Sequence, residues 1–251
     1  MKSAEKKTIW IIGAGSGIGR SLAIALYRQG HQLILSGRRV NCLEDLQNEY
    51  IKNAKIVPLD VTHDEDIKAS YEKIKSNGLS VDSVIFMSAD YQPMTIDNLD
   101  LKKCRDVIGT NLVSAFAIIQ AVVPDFKNAG QGQLVFCGSV AGYRGLPNGQ
   151  PYSASKAALI NLAETARSEL APFGIDVKII NPGFVKTDMT DKNAFAMPMI
   201  ISPEVAADRI VEQIFNPNRF EIRTHGLFSV LMKLIRLLPY SLYFRLMRKQ
   251  V

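Results

Sequence analysis

Cysteine is scarce in this chain. Cys42, Cys104 and Cys137 are the only three in 251 residues, with no CxxC pair and no Cys/His cluster. That spacing speaks against a disulfide scaffold, and no metal site is expected. It fits a reduced, cytosolic compartment, and Cys137, inside an apolar run, reads as a small core residue. Long apolar runs are missing too. No uncharged run that is apolar throughout nears the ~20 residues that span a bilayer. Met1–Lys7 is polar, and Ile9–Ile12 ends at Gly13, too short for a signal-peptide core. There is no repeat, linker or low-complexity tract. Acidic residues are absent from Ile222 to Val251, where Arg223, Lys233, Arg236, Arg245, Arg248 and Lys249 stand. Those six cations account for the whole net charge of +6, so the first 221 residues are neutral. A nucleic-acid face needs basic residues spread over a folded surface or motif; neither is present, and no nucleic-acid partner is expected.

What is there, at 47% hydrophobic residues, suffices for a large core without cross-links. Short apolar runs alternate with helical periodicity. Strands are predicted at Thr8–Ile12, Gln32–Leu35, Lys55–Val57, Val84–Met87, Leu134–Cys137, Val177–Ile180 and Phe220–Ile222. Helices are predicted at Ile18–Arg28, Leu43–Ile51, from a Thr62/Glu65 capping box, at Leu101–Val123 with a stop near Pro124, at Tyr152 to about Leu170, and from Ser202-Pro203. The strands are apolar on both parities, as when helices cover both faces of a sheet. The expectation is an α/β fold: a doubly wound, mostly parallel sheet with helices on both faces, in one domain over residues 1–225, followed by a basic extension over 226–251. Ligands of such sheets sit at the carboxyl ends of the strands.

Gly13-Ala14-Gly15-Ser16-Gly17-Ile18-Gly19 lies where the first strand gives way to the first helix. Glycines there allow a sharp turn and close approach to phosphate, and the helix N-terminus attracts a pyrophosphate. Where the second strand ends, an acidic residue would select NAD. Here the run is Ser36-Gly37-Arg38-Arg39. Arg38 first, and Arg39 second, suit a 2′-phosphate and so NADP(H); the plain alternative is two surface arginines. Asp60-Val61 ends the third strand, where Asp60 either accepts from an adenine amino group or caps the following helix. Tyr152-Ser153-Ala154-Ser155-Lys156 sets a phenol and an ammonium one helical turn apart. The ammonium is expected to lower the phenol pKa from about 10, making Tyr152 an acid–base group. Tyr71 and Lys75 share that spacing, so the spacing alone says little. Tyr152 differs in being preceded by the small-residue loop Gly138–Gly142, from which Ser139 can hydrogen-bond a substrate oxygen.

Over residues 8 to 222 the chain resembles the classical short-chain dehydrogenase/reductases. The glycine motif, Asp60, Asn111, Ser139, Tyr152, Lys156 and Asn181-Pro182-Gly183 fall in the family's order. The resemblance implies a Rossmann-type fold and carbonyl/alcohol oxidoreduction with a nicotinamide cofactor. It makes Asn111, on its own a buried hydrogen-bonding residue, a fourth catalytic group, and Lys156 a ligand of the nicotinamide ribose. It assigns Pro182, Gly183, Val185 and Thr187 to the nicotinamide-side loop, and implies a homo-oligomer paired through long helices. Two departures stand out. Ile12 replaces the usual threonine, and Met87-Ser88-Ala89 replaces Asn-Ala-Gly, leaving Ala89 as the matching cofactor residue.

The expected function is NADP(H)-dependent interconversion of a carbonyl and a secondary alcohol, more as a reductase. The pocket segments 90–94, 140–150 and 189–201 are rather apolar in the last case, which suggests a hydrophobic substrate. Alternatives are an NADPH-binding regulator and a membrane-peripheral scaffold without turnover. From Gly226 onward, apolar residues at 227, 230, 231, 234, 235 and 238 form a helical stripe flanked by cations. That stripe reads as a peripheral membrane contact, a lid, a subunit contact or a core-packing helix. Placement is expected in the cytoplasm, with the inner face of a membrane as its membrane-bound variant.

Overall fold

The computed structural model describes residues 6–193 and 195–248. Lys249, one of the tail cations, lies outside them. Seven strands, β1 (Thr8–Ile12), β2 (Gln32–Ser36), β3 (Lys55–Ile56), β4 (Ser83–Phe86), β5 (Gly132–Cys137), β6 (Ile175–Asn181) and β7 (Glu221–Arg223), form one sheet in the order β3-β2-β1-β4-β5-β6-β7. Every pairing is parallel. The two-residue period of a strand explains the apolar runs. In β1, Trp10 and Ile12 enter the core on one face of the sheet, and Ile9 and Ile11 the core on the other. Leu134 and Phe136 of β5 share the first face, and Val135 the second.

Helices α1 (Gly17–Arg28), α2 (Val40–Tyr50) and α7 (Pro203–Ile214) cover the second face. The first face is covered by α3 (Asp64–Ser76), α5 (Ser114–Ala129), α6 (Tyr152–Leu170) and α8 (Gly226–Leu237). Short α4 (Leu101–Ile108) runs into α5, and α9 (Tyr240–Met247) follows α8. The chain winds outward from β1 in both directions, so the crevice between the β1 and β4 ends is the natural ligand site.

Three local expectations need correction. The Thr62/Glu65 capping box does not form. Helix α3 begins at Asp64 behind His63, because the Thr62 amide and hydroxyl both donate to Asp60 Oδ1, at 3.0 and 2.8 Å. The helix over 101–123 is not uniform: a π-turn, Gly109–Val113, separates α4 from α5. Nor does Pro124 stop α5, which continues to Ala129 and ends at left-handed Gly130. An interior proline costs about 3 kcal/mol, but Ile118, Val122 and Phe126 form a continuous buried stripe on both sides of it, and tertiary burial outweighs that cost. The combined helix Leu101–Ala129 is long and apolar enough to cross a membrane by length and composition. Its inner stripe is instead part of the cover over the sheet.

Candidate active site

A cleft of about 580 Å³ opens at the carboxyl ends of the central strands. Of the residues singled out in the sequence, Gly13, Gly15, Ser16, Gly17, Ile18, Gly19, Arg38, Arg39, Val61, Ala89, Ser139, Tyr152, Lys156, Pro182, Gly183, Val185 and Thr187 line it. Asn111, fully buried, and Asp60, half-buried, are not among its lining residues. A larger hollow, about 780 Å³, lies at the opposite end of the sheet beside Lys6, Asp82 and Asp125, and holds none of these groups.

The glycine turn is shaped by contact with backbone. Gly13 has φ +94°, and a Cβ there would stand 2.6 Å from the Ser88 amide nitrogen. A Cβ on Gly19 would stand 2.1 Å from the Gly13 carbonyl oxygen. The loop after β1 thus lies flat on the first turn of α1 and on the segment after β4. Ser16 is extended at the start of α1 and makes no side-chain cap, which leaves first-turn amides of the helix uncapped toward the cleft. Arg38 and Arg39 are exposed at the end of β2. Burial works against the Asp60 carboxylate, but its bonds from Thr62 and the nearby charge of Arg38 hold it below the ordinary value.

Tyr152 opens α6, with Lys156 one turn on; the ammonium lies 5.5 Å from the phenol ring centroid. Lys156 is 1% exposed, and its Nζ donates to the Cys137 carbonyl at 2.6 Å. Burial pushes the Lys156 pKa down. It pushes the Tyr152 phenol up, well above the ordinary range, while a hydrogen bond with Ser139 pulls weakly the other way. For the phenol, burial outweighs the neighbouring ammonium, so the direction is opposite to the lowering expected from Lys156 alone. Desolvation dominates, and the ammonium is directed at a main-chain carbonyl. Ser139, extended at the end of β5, accepts from the Ala141 amide at 3.1 Å.

Asn111 is fully buried in the π-turn. Its Oδ1 accepts from the Asp90 amide at 2.7 Å, and its Nδ2 donates to the Asp90 carbonyl and to Ser155 Oγ, both at 2.9 Å. Ser155 Oγ in turn donates to the Tyr152 carbonyl at 2.7 Å. Asn111 thus ties the loop after β4 to the turn of α6 that carries the phenol. The Tyr71/Lys75 pair shows what spacing alone yields. Tyr71 stacks on Trp10 in the core, and Lys75 pairs with Glu72 and Asp125.

Some contributors were not picked out from sequence. Tyr91 meets the Tyr152 ring edge-on, centroids 4.9 Å apart, and its hydroxyl donates to Asn193 Oδ1 at 2.5 Å. Glu221, mostly buried, accepts from the Tyr143 hydroxyl at 2.6 Å, from Asn181 Nδ2 at 2.9 Å and from Lys233. Lone polar residues at such long separations give no periodic signal. Burial raises the Glu221 pKa, but these hydrogen bonds outweigh it and hold the group below its ordinary value. A depressed carboxylate stabilises the fold above its unfolded pKa, near 4.3, and loses that contribution as pH falls through its folded value. Glu221→Gln should lower Tm at pH 7 by roughly 3–6 °C, for a loss of ~1.5 kcal/mol. The gap to the parent should close in acid. Thermal melts from pH 7 down to pH 3 check this, and a gap that stays constant counts against the carboxylate.

With this geometry in view, the relatives are informative. A family model described as short chain dehydrogenase matches residues 7–197. A protein of Myxococcus xanthus described as an uncharacterized oxidoreductase is 30% identical over 246 residues, 97% of each chain. A short-chain dehydrogenase structure from Streptomyces avermitilis superposes with a TM-score of 0.82 at 25% identity, covering 98% of this chain and 97% of that one. Another, from Burkholderia cenocepacia in complex with NADP, gives 0.84 at 23% identity, covering 98% and 99%. Tyrosine, lysine, serine and the glycine turn meet in one cleft of a chain matched over nearly its whole length, and the chain belongs to the short-chain dehydrogenase family of oxidoreductases.

Proposed function

We propose that this protein is an NADP(H)-dependent oxidoreductase that interconverts a carbonyl and a secondary alcohol on a hydrophobic substrate, working mainly as a reductase. The observation that carries the reading is the convergence of Tyr152, Ser139 and Lys156 on the cleft whose far wall is the glycine turn with Arg38 and Arg39. The cleft suits a dinucleotide. Its turn has glycine at two places where a Cβ would strike backbone, and the exposed guanidinium groups of Arg38 and Arg39 on its rim suit a 2′-phosphate. The NADP bound by the Burkholderia protein supports the same reading. Gly13 to Gly19, Val61, Ala89 and the loop from Pro182 to Thr187 would hold the dinucleotide. When bound, NADP(H) supplies or accepts the hydride.

The protein's own part is acid–base chemistry and orientation. A phenol is protonated near pH 7, so Tyr152 can donate its proton to a carbonyl oxygen as charge develops there. Ser139 donates a second hydrogen bond to that oxygen. Lys156 would hold the nicotinamide ribose of a bound dinucleotide, and its charge would stabilise the phenolate left behind. Asn111 fixes the loop after β4 against α6 and anchors the water path that returns a proton toward Lys156. Phe195, Met199 and Ile200, exposed on the substrate loop, favour an apolar substrate. Phe116 and Val113 leave the outer face of the α5 region apolar, which favours pairing of copies there. Placement is cytoplasmic in this reading. A regulator that only senses NADPH has no use for a phenol and a serine hydroxyl set together to meet a substrate oxygen.

Steady-state oxidation of NADPH and NADH against a panel of carbonyls tests the reading. NADPH should be preferred, and Arg38→Ala should raise its KM roughly ten- to hundredfold while leaving that for NADH unchanged. An enzyme that prefers NADH overturns the cofactor assignment, and a preference for small polar sugars overturns the substrate class.

A further inference from the structure

We propose that α8 and α9 form a docking surface for a bilayer bearing anionic headgroups. Helix α8 has two apolar faces. One is built in: Phe228 and Met232 belong to the core, and the Phe228 ring lies 5.6 Å from Phe184. His225, just before the helix, accepts from the Gly183 amide at 3.1 Å through Nδ1 and contacts the Phe184 carbonyl at 2.9 Å through Nε2. The helix is thereby seated on the loop that follows β6, in the wall of the cleft.

The other face keeps only part of the stripe expected from the sequence: residues 227, 230, 231 and 234 lie on it, Ile235 packs against the core and Leu238 is half-buried, and Leu237 joins it. Leu227 (73% exposed), Val230, Leu231, Leu234 and Leu237 (78%) leave it bare. On α9, Tyr240, Leu242, Phe244 and Leu246 are exposed as well, with the Tyr240 and Phe244 rings stacked 5.8 Å apart. A chain seldom leaves so large an apolar area without a partner. The two helices are held in fixed relation. Arg144, from the loop after Ser139, donates to the carbonyls of Ile235, Arg236 and Leu238 at 2.8, 3.0 and 2.7 Å. Its guanidinium also covers the Tyr243 ring at 3.8 Å.

Charge identifies the occupant. No acidic residue stands from 222 to 251. Lys233 and Arg223 are paired with Glu221, whereas Arg236, Arg245 and Arg248 make no salt bridge among the described residues. A second copy is a poor fit, since a two-fold contact brings the same surface against itself. It would bury arginines against arginines with no carboxylate in the segment to pair them. A lid role fails because the seated side of α8 is already engaged and the bare face is the other one. Apolar side chains flanked by unpaired cations match an anionic interface, where the former enter the headgroup boundary and each of the latter adds roughly fivefold in partition.

Co-sedimentation of the full chain with vesicles tests this without reference to turnover, so it stands or falls separately from the catalytic reading. Vesicles of phosphatidylcholine mixed with phosphatidylglycerol should bind the protein, and pure phosphatidylcholine should bind it at least about tenfold more weakly. Leu231→Glu/Leu234→Glu should abolish binding, and Arg236→Glu/Arg245→Glu should reduce it to the phosphatidylcholine level. Both double variants alter exposed positions and should keep the parent's melting profile. Absence of binding to either vesicle overturns the proposal, as does equal binding to both. A parent that ignores vesicles but sediments as an oligomer dispersed by Leu231→Glu/Leu234→Glu assigns the face to copies of the chain instead.

Discussion

Tyr152→Phe removes one oxygen and should cut turnover roughly 10²–10⁴-fold, with dinucleotide affinity unchanged. The ring keeps its place against Tyr91, because that contact is edge-to-face between the aromatic planes, so the loss isolates the proton. Fluorescence titration with NADPH beside steady-state rates separates the two quantities, and a variant that retains the parent's rate removes the acid–base role. The pH profile carries a second signature. The phenol is held above its ordinary value by burial, and reduction uses its protonated form. Reduction should therefore stay level from pH 6 to beyond pH 8 and decline only in strong alkali. Alcohol oxidation needs the phenolate and should climb with pH through the same interval. Tyr71→Phe, with its own lysine one turn away, should leave the rate untouched, since that hydroxyl lies at the other end of the sheet.

The sheet was legible because its strands are short, apolar on both parities and regularly alternated with helical periodicity, as in a sheet covered on both faces. The catalytic cluster was legible because strand ends, small-residue loops and helix starts have local signatures. The remaining features depend on which partner a group finds in the folded chain, whether two residues away or far along the sequence. Pro124 stays helical because Val122 and Phe126 are wanted in the core on either side of it. The Thr62 box gave way because Asp60, two residues back, was a nearer acceptor. The direction of the Tyr152 shift could not be read from a neighbouring lysine, because it depends on how dry the phenol is and on where the ammonium points. Lys156 turns to the Cys137 carbonyl, nineteen residues back. Glu221 and Arg144 look like ordinary surface charges in the sequence; only the fold brings Tyr143, Asn181 and Lys233 around the one, and the end of α8 onto the other.

Gly19→Ala sets two known effects against each other, and their sizes decide between them. Alanine in place of glycine inside a helix ordinarily gains up to about 1 kcal/mol. Here the new methyl would stand 2.1 Å from the Gly13 carbonyl oxygen and 3.1 Å from its carbon. A main-chain carbonyl cannot swing aside as the tip of a side chain does. Gly13 itself is held by the hydrogen bond that its N–H donates to the Ser36 carbonyl at 2.8 Å and by its own close approach to Ser88. Either the first turn of α1 lifts from the loop or the loop slides off the sheet. Both cost about 1–3 kcal/mol as overpacking, more than the propensity gained. Both also displace the amides that would meet a pyrophosphate. The expected result is a lower melting temperature together with a loss of NADPH affinity of roughly tenfold or more. Gly15→Ala is the matched control. Its methyl would meet nothing nearer than Cys42 Cβ at 3.5 Å, so the fold should keep its stability. If Gly19→Ala melted with the parent and bound NADPH as well, the loop could not be lying on the helix, and the dinucleotide site would have to be sought elsewhere along the strand ends.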